Sequence, residues 1–515
     1  DHIDTTTPMR QALFEWLTTR VLAKEPTAVF TKEVAMRVVD GETELCLAKG
    51  PRDKPKAGKN PNDLALLESA LAFTETYKKH KGAHKAIREA MCGMQLYPAI
   101  LGDMRDDDLF AGRGPDGWLT STVVDFSTQK MNEAGYMLAD LAVVAKRRDK
   151  LRHENHAAID DLIRFWRTES TFIQFRGHAA QNDPDMADYL KFDDLDRLGY
   201  ARQYGGYLSL PKGIGHITQC GITRLAGLML DFDKLLRLGI PGLEAEIRAR
   251  SSQADKENDD TALFKGMLLS LETLKVVCRH YQAQTEILAE QARHPQTTKD
   301  LKETARILGK IAGDKPETLR EAIQLLWLYS LLARAQDYGR MDVSLGDFLT
   351  HDLDAGTLSQ EEAERLLLSL WRMIDETGCI WNTRIIIGGA GRRNEANADR
   401  FALLAIEATR TFRHIMPVLT LRMHKAQHPA LMQKALDVIG EGCLYPTLYN
   451  DDVYIDGAKR VMDIPEEEAA KYLPLGCGEL ILDHSSSGSP NSTLNVPKAL
   501  EAALHNGVEP LRGKR

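Results

Sequence analysis

Seven cysteines are spread through the 515 residues, and one of them stands in a setting unlike the others. Cys477 lies between Gly476 and Gly478, with Glu479 two residues on and His484, Ser485, Ser486, Ser487 and Asn491 following. Glycines let a backbone turn sharply and approach a ligand closely, so this stretch reads as a loop built to present a thiol. The other six, Cys46, Cys92, Cys220, Cys278, Cys379 and Cys443, read as small buried hydrophobes. Three chemistries are open to Cys477. A thiolate nucleophile needs a base and an oxyanion hole; His484 could serve as the base, yet the carboxylate of Glu479 opposes thiolate formation. A metal site from Cys477, Glu479 and His484 matches no standard ligand spacing, so no metal is expected. The third is a thiyl radical. Glu479 by itself reads as a solvated loop residue, and the polar run after it as a solvent loop or the lining of a pocket.

Stepping outward, Leu473 to Leu475 is an apolar run fit for a buried strand, and Val496 to Leu504 carries Leu500 and Leu504 at helical spacing with Pro497 in the first turn. Upstream, Arg384 to Gly389, Val418 to Arg422 and Pro446 to Asn450 are predicted strands, alternating with predicted helices at Ala396 to Phe412, Pro429 to Gly440 and Pro465 to Tyr472. Strands and helices alternating in this way predict βαβ units and a parallel sheet, open or closed into a barrel. Substrates of such sheets bind at the carboxyl ends of the strands, and Cys477 is expected just past one. Glu321 to Leu332 is predicted as a core helix, and Ser359 to Ile374 as a helix opened by a capping box from Ser359 and Glu362.

The earlier part of the chain reads as predominantly helical, with predicted helices at Met9 to Leu22, Leu64 to Tyr77, Ala134 to Arg147, Ala157 to Thr168 and Thr261 to Gln291. Gly50 to Asn62, rich in Lys, Pro, Gly and Asn, reads as a loop. The expected class is α/β, with a helical region over residues 1–315 and a β/α half-barrel carrying the cysteine loop over 316–515.

A net charge of -8 with basic residues scattered along the chain gives no electrostatic footprint for nucleic acid. Widely spaced cysteines, odd in number and never in a Cys-x-x-Cys arrangement, argue against a disulfide framework and for a reducing compartment. There is no apolar run long enough for a membrane span and no signal-peptide pattern at the start, so a cytoplasmic protein with no membrane partner is expected.

Several elements in order carry a family resemblance: Ile387-Gly-Gly, Pro417-x-Leu-Thr-Leu-Arg422, Pro446-x-Leu-Tyr-Asn-Asp451, Gly476-Cys-x-Glu479 and the closing Asn495-x-Pro-Lys-Ala-Leu-Glu-x-x-Leu-His-Asn-Gly507. Together they resemble the glycyl radical enzymes, the superfamily of pyruvate formate-lyase, from about Gly213 to Arg515. Gly215-His216 and the run Asp231 to Gly239 are similar to a further pair of family elements. The resemblance implies a barrel of two five-stranded half-barrels with the cysteine on a central loop. It implies Cys477 as the hydrogen-atom abstractor, Glu479 as the base that deprotonates a hydroxyl beside the substrate radical, and His216, His484 and Asn491 as substrate-binding residues. Pyruvate formate-lyase itself carries two adjacent cysteines where glycines flank Cys477 here, which points to the eliminase or decarboxylase branches. A small hydroxylated substrate fits the serines, with an aryl or alkyl acid, or a non-catalytic binding role, as alternatives. The family's radical is stored on a glycine in an Arg-Val-x-Gly-Tyr context, installed by an activase using an iron–sulfur cluster and S-adenosylmethionine. No such motif occurs in this sequence. The expectation is therefore a half-barrel completed by a second chain or by a segment missing from the sequence, in an oligomer with no bound cofactor of its own.

Overall fold

In a computed structural model the described residues are 34–39, 42–47, 63–115, 120–121, 137–138, 148–169, 221–226, 229–253, 260–333, 335, 337–377, 383–476, 478–483, 489–493 and 496–508. The predicted helix at Met9 to Leu22 and the predicted loop at Gly50 to Asn62 lie outside them.

Helical periodicity in the first part is realised in helices Asp63–Lys79, His156–Glu169 and Asp260–Gln291. In the first of these, Leu66, Leu67, Ala70, Phe73 and Tyr77 recur every three or four residues and are all buried, while Asp63 begins the helix and Lys78 and Lys79 end it, as the helix dipole favours. The helix predicted over Ala134 to Arg147 is corrected: Met137–Leu138 is a short strand. Two apolar residues are compatible with either period, and pairing with Thr120–Ser121 decided these positions; the rest of that predicted helix lies outside the described residues.

Among the described residues seven strands precede the large sheet. They are β1 (Val34–Val39), β2 (Glu42–Leu47), β3 (Leu101–Gly102), β4 (Arg113–Pro115), β5 (Thr120–Ser121), β6 (Met137–Leu138) and β7 (Gly221–Ala226); β1 pairs with β2, β3 with β4 and β5 with β6, each antiparallel. Helix Phe232–Gln253 is kinked at Gly239, whose φ of 64° and ψ of 179° are not helical; a Cβ there would stand 2.6 Å from the Lys315 Cα.

The predicted core helix runs Leu319–Ala333 and is buried on almost every side. Helix Met341–Asp354 follows, then Gln360–Glu376, where the Ser359 hydroxyl accepts from the Glu362 N–H at 3.1 Å. The reciprocal half of the predicted capping box is replaced, because the Glu362 carboxylate pairs with Arg365 at 2.8 Å.

Among the described residues the parallel sheet has three strands, β8 (Arg384–Gly388), β9 (Val418–Met423) and β10 (Thr447–Asn450), in the order β10-β9-β8, with helices Glu395–Phe412 and Pro429–Gly440 in the crossovers. β8 is buried along its whole length, as a parallel strand covered on both faces should be. The Trp371 indole N–H donates to Thr409 Oγ1 at 3.0 Å, tying the helix before the sheet to the helix after β8. One cluster of buried apolar side chains extends from Leu66 through Trp327 and Trp371 to Val438.

After β10 the structure departs from the expected alternation. A helix, Asp451–Met462, starts at once, capped by the Asn450 side chain, and the predicted helix Pro465 to Tyr472 shrinks to Glu466–Ala469. The next strand, β11 (Tyr472–Leu475), does not join the parallel sheet. It folds back on β12 (Glu479–Leu482) as an antiparallel hairpin. Then β13 (Ser489–Thr493) pairs with β7, and helix Val496–Leu504 follows, with Leu500 and Leu504 exposed. Among the described residues no helix is long and apolar enough to cross a membrane.

Candidate active site

The hairpin puts the glycines to use. Leu475 faces Glu479 across the β11–β12 pair, so residues 476–478 form a three-residue connection. Gly476 has φ 48° and Gly478 has φ 117°, a region costly for side chains with a Cβ. The Gly478 N–H donates to the Leu475 carbonyl at 2.6 Å, and a Cβ on Gly478 would meet the Tyr449 hydroxyl oxygen at 2.6 Å. Glycine is therefore required on both sides of Cys477 for turn geometry and on one side for space. Cys477, His216 and His484 themselves lie outside the described residues.

Two arginines from neighbouring sheet strands hold the hairpin at its two ends. At its base, Arg422 of β9 donates to the Tyr472 carbonyl at 2.8 Å and to the Ala470 carbonyl at 3.0 Å. Arg422 is fully buried and compensated by Asp451 through contacts of 2.9 and 3.0 Å; the Tyr472 hydroxyl donates to the same carboxylate at 2.6 Å. The Asp451 carboxyl, opposed by burial but held by Arg422 and Tyr472, sits below the usual carboxylate range. At the tip, Arg384, the first residue of β8, donates to the Gly476 carbonyl at 2.7 Å. Between the two ends, Leu473, Leu475 and Ile481 pack on Ile386 in a small buried cluster.

These contacts correct the expected position of the cysteine. The hairpin is anchored near the carboxyl end of β9 and reaches back to the amino end of β8, so the Cys477 turn does not lie just past the carboxyl end of a parallel strand. A run such as Leu473-Pro-Leu reads as a buried strand in either direction, and only its partner fixes which way it runs.

Glu479 is half-buried, and its Oε2 is buried with no hydrogen-bond partner among the described residues. A carboxylate oxygen in that state is costly unless something outside the protein satisfies it. Asn491 lies on β13 opposite Arg224 of β7; its side chain is outside the description. β7 begins five residues after His216, so the β7–β13 pairing draws the chain that follows His216 alongside the strand that carries Asn491.

A model of a known family, described as pyruvate formate lyase-like, matches residues 51–515. The chain belongs to that family. Its relatives include a (2S)-3-sulfopropanediol dehydratase from Klebsiella oxytoca, 26% identical over 56% of this chain and 38% of that protein. An isethionate sulfite-lyase from Nitratidesulfovibrio vulgaris is 22% identical over 86% of this chain and 54% of its own length. Among solved structures, a glycyl radical enzyme from Archaeoglobus fulgidus superposes with a TM-score of 0.62 at 19% identity, covering 87% of this chain and 58% of that one, which shows a shared fold. This pyruvate formate lyase-like chain spans about half the length, or less, of the curated relatives it matches.

Sequence reasoning missed two charged residues beside the Cys477 turn, Arg384 and Asp337. Asp337 is 1% exposed; its Oδ1 accepts the Arg384 backbone N–H at 3.0 Å, and its Oδ2 is buried without a partner among the described residues. Burial raises its carboxyl to about 6, against the pull of the Arg384 N–H, the Arg384 charge and the nearby Gly476 amide, and with a further push from Glu479. A signal was present: Arg384 opens an otherwise apolar strand, and a charge at the head of a buried strand needs a partner.

Proposed function

We propose that this chain carries the hydrogen-abstracting part of a glycyl radical lyase that eliminates water or another leaving group from a small hydroxylated substrate. The observation that supports it best is the glycine-flanked turn of the β11–β12 hairpin, which sets Cys477 two residues from a carboxylate whose buried oxygen lacks a partner. Elimination relatives such as the dehydratase and the sulfite-lyase lend further support.

In this reading the Cys477 sulfur takes a hydrogen atom from the substrate carbon bearing a hydroxyl. Glu479 accepts the hydroxyl proton, the resulting ketyl expels the leaving group from the adjacent carbon with its bonding pair, the proton on Glu479 passes to that anion where water is lost, and the thiol returns its hydrogen atom to the carbon radical left behind. His216, His484 and Asn491 are assigned to substrate binding. A glycyl radical, installed by an iron–sulfur S-adenosylmethionine activase on a segment or subunit outside these residues, supplies the initiating radical.

The test is turnover by the anaerobically purified, activated protein, with its glycyl-bearing segment, on a panel of small diols, hydroxysulfonates and carboxylic acids. Carbonyl product from a hydroxylated member, lost to background in Cys477→Ala, is the expected result. Carbon dioxide release from an aryl or alkyl acid would move the assignment to a decarboxylase. Full function in Cys477→Ala would leave a binding role and sink the radical chemistry.

A further inference from the structure

We propose that Arg384 is the positioning residue for the Cys477 thiol, gripping the peptide before it, with Asp337 and Tyr449 completing the grip. This rests on reading Cys477 as the reacting thiol. A turn made of two positive-φ glycines is the most permissive backbone available, whereas atom transfer requires the reacting atoms to be held near contact. Something other than the turn itself must therefore fix it.

Arg384 supplies that constraint. One arm of its guanidinium donates to the Gly476 carbonyl at 2.7 Å; the other donates to Thr420 Oγ1 at 2.5 Å, and Thr420 Oγ1 is itself 2.9 Å from Thr447 Oγ1. The fork is thus braced by residues of β9 and β10 while its own backbone stands in β8. Only a planar, multi-donor head can span the sheet and the turn in this way. Asp337 ties in from behind: its Oδ1 takes the Arg384 backbone N–H at 3.0 Å, which holds the head of β8 where its guanidinium meets the turn. On the far side of the turn, the Tyr449 ring lies under the Arg384 guanidinium at 5.8 Å, and its hydroxyl covers the Gly478 Cα.

The experiment uses the full chain without turnover. The rate of iodoacetamide labelling at Cys477 is read by peptide mass spectrometry in wild type, Arg384→Lys and Tyr449→Phe, with the buried Cys92 and Cys278 as internal references. Lysine keeps a positive charge, and the rates are compared across pH so that a change in thiolate fraction is separated from a change in geometry. Releasing the turn is expected to raise Cys477 labelling about tenfold in Arg384→Lys, and less in Tyr449→Phe, with Cys92 and Cys278 unchanged. An unchanged or slower Cys477 rate in folded Arg384→Lys overturns the proposal, as does a rise shared by all three cysteines. If Arg384→Lys does not fold, Tyr449→Phe decides by the same criteria. Labelling needs neither radical nor substrate, so a failed grip and a failed lyase assignment give separate readouts.

Discussion

Glu479 and Asp337 are carboxyl groups close enough for one to raise the other's proton affinity, and each has a buried oxygen without a partner among the described residues. Their burdens differ. Glu479 is only half-buried and adjoins the Cys477 turn; in the role of base proposed for it, Glu479→Gln is expected to lower kcat by about 10²–10⁴ with a small change in KM, measured on the activated protein. Asp337 is sealed in. Its folded carboxyl titrates at about 6 against an ordinary 3.8, so between those values the folded chain holds a proton that the unfolded chain has lost. Its contribution is therefore fully present below the unfolded value and lost as pH rises through about 6, with a slope of up to about 1.4 kcal/mol per pH unit. Asp337→Asn keeps an acceptor for the Arg384 N–H and cannot ionise. Scanning calorimetry at pH 5 and pH 7 should show the variant gaining on wild type at the higher pH; an equal gap at both would mean that Asp337 is not the group responsible. Cys477 and Glu479 were singled out from their setting in the sequence, because glycines around a thiol and a nearby acid form a local pattern. Asp337 and Arg384 were not, because they lie 47 positions apart and become partners only when β8 docks beside the turn.

At the level of elements, helices were the more legible. A residue such as Ser359, with Glu362 three positions on, announces a helix start from chain-local geometry, and the N-cap hydrogen bond is present at 3.1 Å. Helix Asp451–Met462 escaped notice although Asn450 caps it and Asp451 and Asp452 fill its first turn; Gly457 in its middle lowered its helical character. The β11–β12 hairpin depends on a long-range pair instead. Arg422 and Asp451 are both sequestered from solvent, and Arg422 also binds the carbonyls of Ala470 and Tyr472. Arg422→Met would strand a buried carboxylate and two carbonyls, at a cost of about 3–5 kcal/mol. A matching fall in apparent Tm is expected, with part of it recovered when Asp451→Asn is added. No recovery in the double variant would mean that the lost carbonyl contacts, and not the orphaned charge, carry the cost.

Across the whole molecule, the β7–β13 pair joins residues 221–226 to residues 489–493, closing a loop of chain that contains the entire parallel sheet. Ser492→Pro places a ring in β13 where the pairing with β7 shifts register and removes a backbone N–H from that strand. Hydrogen exchange should then quicken by about tenfold or more at the amides of Gly221–Ala226 while those of β8 and β9 keep their protection. Faster exchange in β8 as well would mean that the pair supports the sheet itself. The sequence by itself determined the family, through short runs whose order and spacing survive in one dimension. It also determined most of the helices and the three strands of the parallel sheet, because a 3.6-residue or a buried-strand pattern is a local property. Only the tertiary structure decided that β11 turns back on β12, that the cysteine turn reaches the amino end of β8, and that Arg384 and Asp337 flank it. Those facts concern which surfaces meet, and an apolar run or a lone charge records that it must be buried without recording against what.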